Sequence, residues 1–350
     1  SILSDKKVEI NNIPLVKDVI TMSGLLKHIG SDIRVNSKKK KILIHNKKRS
    51  FKTVAPYSLL KTMRAGVIVL GPLLSKFGKA TVSLPGGCAI GERPIDLHIK
   101  GLEAMGAKIT LEHGYVHGKA DCLKGIQFYF DTVSVTGTAN LIMAAVLAEG
   151  ETLLENAAKE PEVVFLADIL NLAGAKISGH GTDIIAIEGT TSLKPIECTI
   201  FPDRIETGTF MIAAAITQGD VTIENCIPKH VEPITLKLQE AQVGVEIGEN
   251  KIRVKGKGPI SSVNAKTHPY PGFPTDIQAQ FMALMTLAQG QSIIVETVFE
   301  NRFMHVSELK RMGADISLDG HTAIINGVKS LSGAPLMATC LLYTSDAADE

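Results

Sequence analysis

One short pattern recurs along this chain of 350 residues, and a chain with an internal period folds as stacked copies of one unit. The pattern is a helical stretch bearing leucine or methionine, then Gly-Ala or a relative, then an alternating strand. Its copies are LLKHIGSDIRV from Leu25, GLEAMGAKITL from Gly101, ILNLAGAKISG from Ile169, LKLQEAQVGVEIG from Leu236 and ELKRMGADISL from Glu308. Their glycines, Gly30, Gly106, Gly174, Gly244 and Gly313, fall about 70 residues apart. Within a copy the apolar residues recur at helical spacing, which predicts an amphipathic helix. The glycine is expected to end that helix in the left-handed conformation, and the alternation that follows predicts a half-buried strand.

A second element precedes several copies. Gly78, Gly150, Gly219 and Gly290 each open a strand, and before them come small-residue stretches such as Thr138–Ala148, Thr207–Ile216 and Gln278–Ala288. These stretches are apolar nearly all round, which predicts buried helices. Buried helices sheathed by small sheets make an inside-out α/β arrangement. No glycine-rich βα turn with an acid about 20 residues on is present, so a parallel dinucleotide-binding sheet is not expected. Residues 1–200 are predicted to form one lobe and 201–339 a second, with a boundary near Thr199–Pro202 and small-molecule sites in the cleft between lobes of like repeats.

Composition excludes several classes. A net charge of +1 gives no field to draw nucleic acid or membrane, and the cluster Lys38–Lys41 with Lys47, Lys48 and Arg49 has no interleaved aromatics, as a solvated hairpin would. Five scattered cysteines, without a CxxC pair or a Cys/His cluster, argue against a disulfide framework or a zinc site and for a reducing compartment. No run approaches the roughly 18 apolar residues of a membrane span. A cytoplasmic protein is expected.

Chemistry concentrates in residues 85–98, PGGCAIGERPIDLH. Cys88 sits among Gly86, Gly87 and Gly91, with Arg93, Asp96 and His98 close behind. A thiol and a guanidinium on a flexible loop suit anionic ligands. Pro271–Asp276 reads as a rigid turn entering an apolar helix, with Asp276 either a helix cap or a base held at a cleft. Phe299–His305, which includes Arg302, is either a surface loop or a binding loop, and Asp203 in PDRIETG is a candidate helix cap. Val133–Gly137 reads as a strand entering a glycine turn. Neither a G-x-S-x-G elbow nor a Walker loop is found.

Together PGGCAIGERPIDLH, GLEAMGA, ENAAKEPEV, PDRIETGTF, FPTDIQAQF and ETVFENRFMH resemble, in order, the signatures of the enolpyruvyl transferases, from about Val8 to Thr339. The match is closest to the branch that uses a nucleotide sugar, since the shikimate 3-phosphate branch lacks the cysteine loop. The resemblance implies an α/β fold of two inverse α/β barrel lobes built from three related units each. It implies transfer of enolpyruvyl from phosphoenolpyruvate to the 3-hydroxyl of UDP-N-acetylglucosamine with release of phosphate, the first committed step toward peptidoglycan. No metal or organic cofactor is implied, and the expected partners are those two small molecules, acting on a monomer. By motif, Cys88 matches the general acid that protonates the enolpyruvate methylene and can form a covalent adduct. Asp276 matches a carboxylate that contacts the sugar and is proposed to take its hydroxyl proton. Arg64, Arg93, Pro94, Ile95, Asp96, Leu97, Thr132, Val133, Ser134, Val135 and Val298 match substrate-binding positions, Arg93 also at the phosphoenolpyruvate phosphate. Arg302 is counted with them.

Departures from the family pattern carry expectations of their own. Ser1–Lys7 starts inside the family's first unit, so a Lys-Asn pair that contacts phosphoenolpyruvate is missing, and Thr132 stands where a basic residue is common. Residues 340–350 break the pattern and resemble a non-native tail. A chain without those ligands is expected to be weak or inactive. The rival readings are a shikimate-type synthase and a relative that binds the nucleotide sugar without turnover.

Overall fold

The computed structural model describes residues 1–46, 51–61, 63–84 and 95–337, the side chain of Arg64 apart. Contacts divide these residues into two compact units, one up to Ile200 and the other from Phe201. Each has its own apolar core.

A single topology builds the small sheets. Val54–Ala55 lies parallel to Lys79–Ser83, and the buried helix Leu70–Phe77 comes between them in the chain. The helix Asp96–Ala104 follows, then the hairpin Lys108–Glu112 and Tyr115–Lys119, whose second strand returns to pair antiparallel with Lys79–Ser83. The next copy repeats this: Gln127–Tyr129 parallel to Glu151–Glu155 around the helix Val135–Ala145, then the helix Pro161–Leu172 and the strands Lys176–Ser178 and Ile184–Glu188. In the second unit Ala265–Lys266 and Gln291–Val295 flank Gln278–Met285, followed by Val306–Arg311 and the hairpin Asp315–Asp319 with Thr322–Asn326.

The two remaining sheets vary the edge. Val8–Asn11 takes its parallel neighbour from Ile196–Thr199, so the far end of the first unit closes onto its beginning. Asp220–Glu224 has three strands in its sheet among the described residues, with the helices Arg204–Ile216 and Glu232–Glu240 packed nearby.

Alternation explains which sheet face is covered. In the returning strands the second and fourth residues are buried: Ile42 and Ile44, Val116 and Gly118, Ile185 and Ile187, Ile252 and Val254, Ala323 and Ile325. Side chains of period two thus place one row against the helices and the other toward solvent. A hydrogen bond recurs at the end of the last four of these strands. The amides of Ala120, Gly189, Gly256 and Gly327 donate to the carbonyls of Gly78, Gly150, Gly219 and Gly290 at 2.8–3.0 Å, tying each returning strand to the turn that opens its neighbour.

Two local expectations need correction. Gly244 does not end the fourth amphipathic helix, because Gln242 takes the left-handed place at φ 67°, while Gly244 begins the strand Gly244–Ile247. Gln242 stands where the other copies carry the capping glycine and Gly244 lies two residues on, and the amide bonds Gln242 N to Gln239 O at 3.0 Å and Val243 N to Leu238 O at 2.9 Å secure the turn without it. Val133–Gly137 is not a strand. Ser134 Oγ accepts from Gly137 N at 3.1 Å and starts the helix Val135–Ala145, because a hydroxyl that satisfies an orphan helix amide outweighs the β preference of the valines.

Glycines let three helices of the first unit pack closely. A Cβ on Gly71 would lie 2.4 Å from Asn140 Oδ1, and one on Gly101 would lie 2.4 Å from Leu141 Cδ1. Early residues of one helix meet early residues of the next, so Asp96–Ala104 and Val135–Ala145 run in the same direction. No helix among the described residues is long and apolar enough to cross a membrane.

Candidate functional site

In the first unit, two parallel helices bring together two segments matched by motif. His98 and Thr136 share a hydrogen bond, Nε2 to Oγ1, at 3.2 Å. On the solvent side Lys100 Nζ lies 3.3 Å from Asp131 Oδ2 and 3.8 Å from Asp96 Oδ2. Ile95, Asp96 and Leu97 therefore neighbour Thr132, Val133, Ser134 and Val135. Asp96, Thr132 and Val135 are exposed, while Ile95, Val133 and Ser134 are half-buried. Leu97 is 7% exposed and its side chain belongs to the core, so a ligand could reach it only through its backbone. Two helix N-termini side by side turn first-turn amides and positive dipole ends to one surface, the Gly137 amide being taken by Ser134, and this favours an anionic group.

Behind this surface lies a buried polar chain. Asn140 Oδ1 accepts from Gly71 N at 2.8 Å, and Asn140 Nδ2 lies 2.8 Å from His98 Nδ1. Burial pushes the His98 imidazole down to about 4, with Asp96 pulling weakly upward, so the ring is neutral at pH 7.

In the second unit, Asp276 follows the turn Pro271–Thr275 on a short 3-10 segment, Thr275–Ile277. Neither Thr275 nor Asp276 caps the helix. Instead Asp276 Oδ1 accepts from Arg302 Nη2 at 2.7 Å, and the Arg302 side chain is 3% exposed against 36% for Asp276. Arg302 lies over the Phe299 ring at 5.4 Å. Its Nη1 is buried with no hydrogen-bond partner among the described residues. Among those residues Arg302 is the hydrogen-bond partner of Asp276, which leaves Oδ2 available to an incoming hydroxyl. Val298 is 39% exposed beside this pair in sequence. His305, close by, is pushed down to about 4 by burial, against a hydrogen bond with the Arg302 backbone that raises it, while the Arg302 charge also lowers it. Asp203 caps its helix, with Oδ1 accepting from Ile205 N at 2.7 Å.

Cys88, Arg93 and Pro94 lie outside the described residues, as does the side chain of Arg64. Two groups had no role assigned from sequence. His98 falls on the buried side of its helix with Leu97, Gly101 and Leu102, a spacing that marks a core histidine. Glu296 continues the row Ser292, Ile294 on the buried face of its strand, and a carboxylate in such a row signals a built polar site. Among the described residues no group of three or more His, Cys, Asp or Glu could hold a metal ion.

The family described as EPSP synthase (3-phosphoshikimate 1-carboxyvinyltransferase) matches residues 1–340. The UDP-N-acetylglucosamine 1-carboxyvinyltransferase of Geotalea uraniireducens is 54% identical over 355 aligned positions, covering 100% of this chain and 84% of that one. The protein of the same name from Thermodesulfovibrio yellowstonii is 56% identical over 330 positions, covering 94% and 78%. Among solved structures, the enolpyruvyl transferase NikO from Streptomyces tendae superposes with a TM-score of 0.85 at 19% identity, over 95% of this chain and 79% of that one. EPSP synthase from Acinetobacter baumannii gives 0.68 at 20% identity, over 95% and 78%. At such identities the structures speak for the fold.

Proposed function

The chain belongs to the carboxyvinyl (enolpyruvyl) transferase family, and we propose that it moves the enolpyruvyl group of phosphoenolpyruvate to the 3-hydroxyl of UDP-N-acetylglucosamine, releasing phosphate. The observation that carries this is identity of 54–56% along nearly the whole chain with relatives of that activity. The family description names the shikimate enzyme, but the solved EPSP synthase shares only 20% identity. The nucleotide sugar is therefore the acceptor we assign.

In this reading the sugar oxygen bonds to C2 of phosphoenolpyruvate as its proton passes to Asp276, and C3 receives a proton from the Cys88 thiol. Loss of a C3 proton and of phosphate from the resulting adduct restores the double bond. A thiol of ordinary pKa, about 8.5, is mostly protonated at pH 7 and can serve as that acid. Arg93 and Arg64 meet the anionic substrates. The paired helix N-termini at Ile95–Leu97 and Thr132–Val135 support nucleotide-sugar binding there, and the unpaired Arg302 Nη1 supports a polar ligand beside Asp276. Val298 is assigned to the sugar-nucleotide. The same reading gives a cytoplasmic monomer that serves peptidoglycan synthesis.

Phosphate release tests it. Purified protein given phosphoenolpyruvate and UDP-N-acetylglucosamine is expected to release phosphate, more slowly than a chain that carries the Lys-Asn pair, and Cys88→Ala to slow this by about 100-fold or more. Release driven by shikimate 3-phosphate instead, or release indifferent to Cys88→Ala, overturns the assignment.

A further inference from the structure

We propose that Glu296 is a positioning residue for the reaction: its buried carboxylate sets the register between the turn that bears Asp276 and the loop that bears Arg302. The inference rests on the reading of Asp276 as the base. Glu296 is 2% exposed and stands just after the strand Gln291–Val295. Its own amide donates to His321 O at 2.8 Å, which fixes the backbone beside the sheet. Oε2 accepts from Thr275 Oγ1 at 2.8 Å, and Thr275 immediately precedes Asp276. Oε1 accepts from Val298 N at 2.8 Å and Phe299 N at 3.2 Å, at the start of the loop that leads to Arg302. Thr267 Oγ1 donates to the same oxygen at 2.9 Å.

An ionised carboxylate offers about four acceptor positions, and here the donors that fill them come from three separate segments. All of them are neutral, so this is not an ion pair within the sheet. Burying the charge is tolerable because those donors replace water. Phe299 extends the effect, since its ring lies 5.4 Å from the Arg302 guanidinium. Arg302 in turn holds Asp276 Oδ1 at 2.7 Å. One carboxylate thus grips both partners of the pair a residue or a few away from each, while touching neither.

Removing Glu296 outright would strand several buried donors, so the test cuts a single tie. Thr275→Val removes the hydroxyl while keeping the shape, and Thr275→Ser restores the hydroxyl. Urea unfolding of Asp276→Asn, Arg302→Met and the double variant gives the coupling between those residues, with and without Thr275→Val. The coupling is expected to fall by at least half with Thr275→Val and to survive Thr275→Ser. In the phosphate-release assay, Thr275→Val is expected to lower kcat about tenfold with KM for phosphoenolpyruvate little changed, and Thr275→Ser to stay near the parent. Unchanged coupling in Thr275→Val overturns the proposal. So does a kcat that holds while the coupling is lost, or equal damage from Thr275→Ser. If Asp276→Asn alone turns over normally, the base assignment fails, while the coupling measurement still decides the role of Glu296.

Discussion

Acid should destabilise the first unit through a single buried ring, His98. The Gly71 amide can only donate, so the oxygen of Asn140 faces it at 2.8 Å and the Asn140 nitrogen faces His98 Nδ1. Nδ1 must then accept, and the ring proton sits on Nε2, directed at Thr136 Oγ1 at 3.2 Å. A second proton would press an N–H against an N–H. Burial moves the His98 pKa from 6.5 to about 4, against a weak opposite pull from Asp96. Because the folded value lies below the unfolded one, the unfolded chain binds the proton first. The stabilisation is full above the unfolded pKa and is lost as pH falls from there toward the folded value. With those two pKa values, linkage gives a loss of about 2 kcal/mol between pH 7 and pH 5. His98→Gln keeps an acceptor for Asn140 and a donor for Thr136 but cannot titrate in this range. Urea unfolding followed by circular dichroism at both pH values measures the difference. The parent is expected to lose about 2 kcal/mol more than His98→Gln on acidification. His305, also held at about 4, is present in both proteins and cancels. Equal losses in the two proteins would refute the neutral buried ring.

Two further perturbations test the repeated architecture. A Cβ on Gly327 would fall 1.6 Å from the Ala288 carbonyl oxygen, and one on Gly189 would fall 1.8 Å from that of Ala148, so Gly327→Ala and Gly189→Ala should each cost about 3 kcal/mol in urea unfolding. Asp203→Ala removes the acceptor for Ile205 N and Glu206 N and should cost about 1 kcal/mol, while Asp203→Ser should cost far less.

Much of the fold was legible because each repeat announces itself locally. Gly106, Gly174 and Gly313 do end their helices with positive φ, and strands do follow the turn glycines Gly78, Gly150, Gly219 and Gly290. The misreadings arise where two local signals compete. In EAQVG the glycine is displaced from the cap, and only the hydrogen bonds of Gln242 and Val243 show which residue turns the chain. At Val133–Gly137 a β-branched run hides a serine cap. The bonds from the ends of the returning strands to the turn glycines were not legible, since the partners, such as Gly150 and Gly189, are far apart in sequence.

The candidate site was legible to the extent that its residues carry charge in short motifs. Asp276 and Arg302 were both singled out, yet their pairing links positions 26 apart in sequence. Pairing also changes what Asp276 can do. A helix cap would spend its oxygens on backbone amides, whereas here a guanidinium holds Oδ1 and no hydrogen-bond partner of Oδ2 occurs among the described residues. His98 and Glu296 were harder to assign because each acts from behind the surface. A buried histidine and a buried glutamate gain meaning only from the donors and acceptors that surround them. In each unit a buried polar group reaches that unit's own candidate residues through a threonine, Thr136 or Thr275. A hydroxyl can pass a hydrogen-bond direction from the core to a neighbouring site residue without carrying charge to the surface.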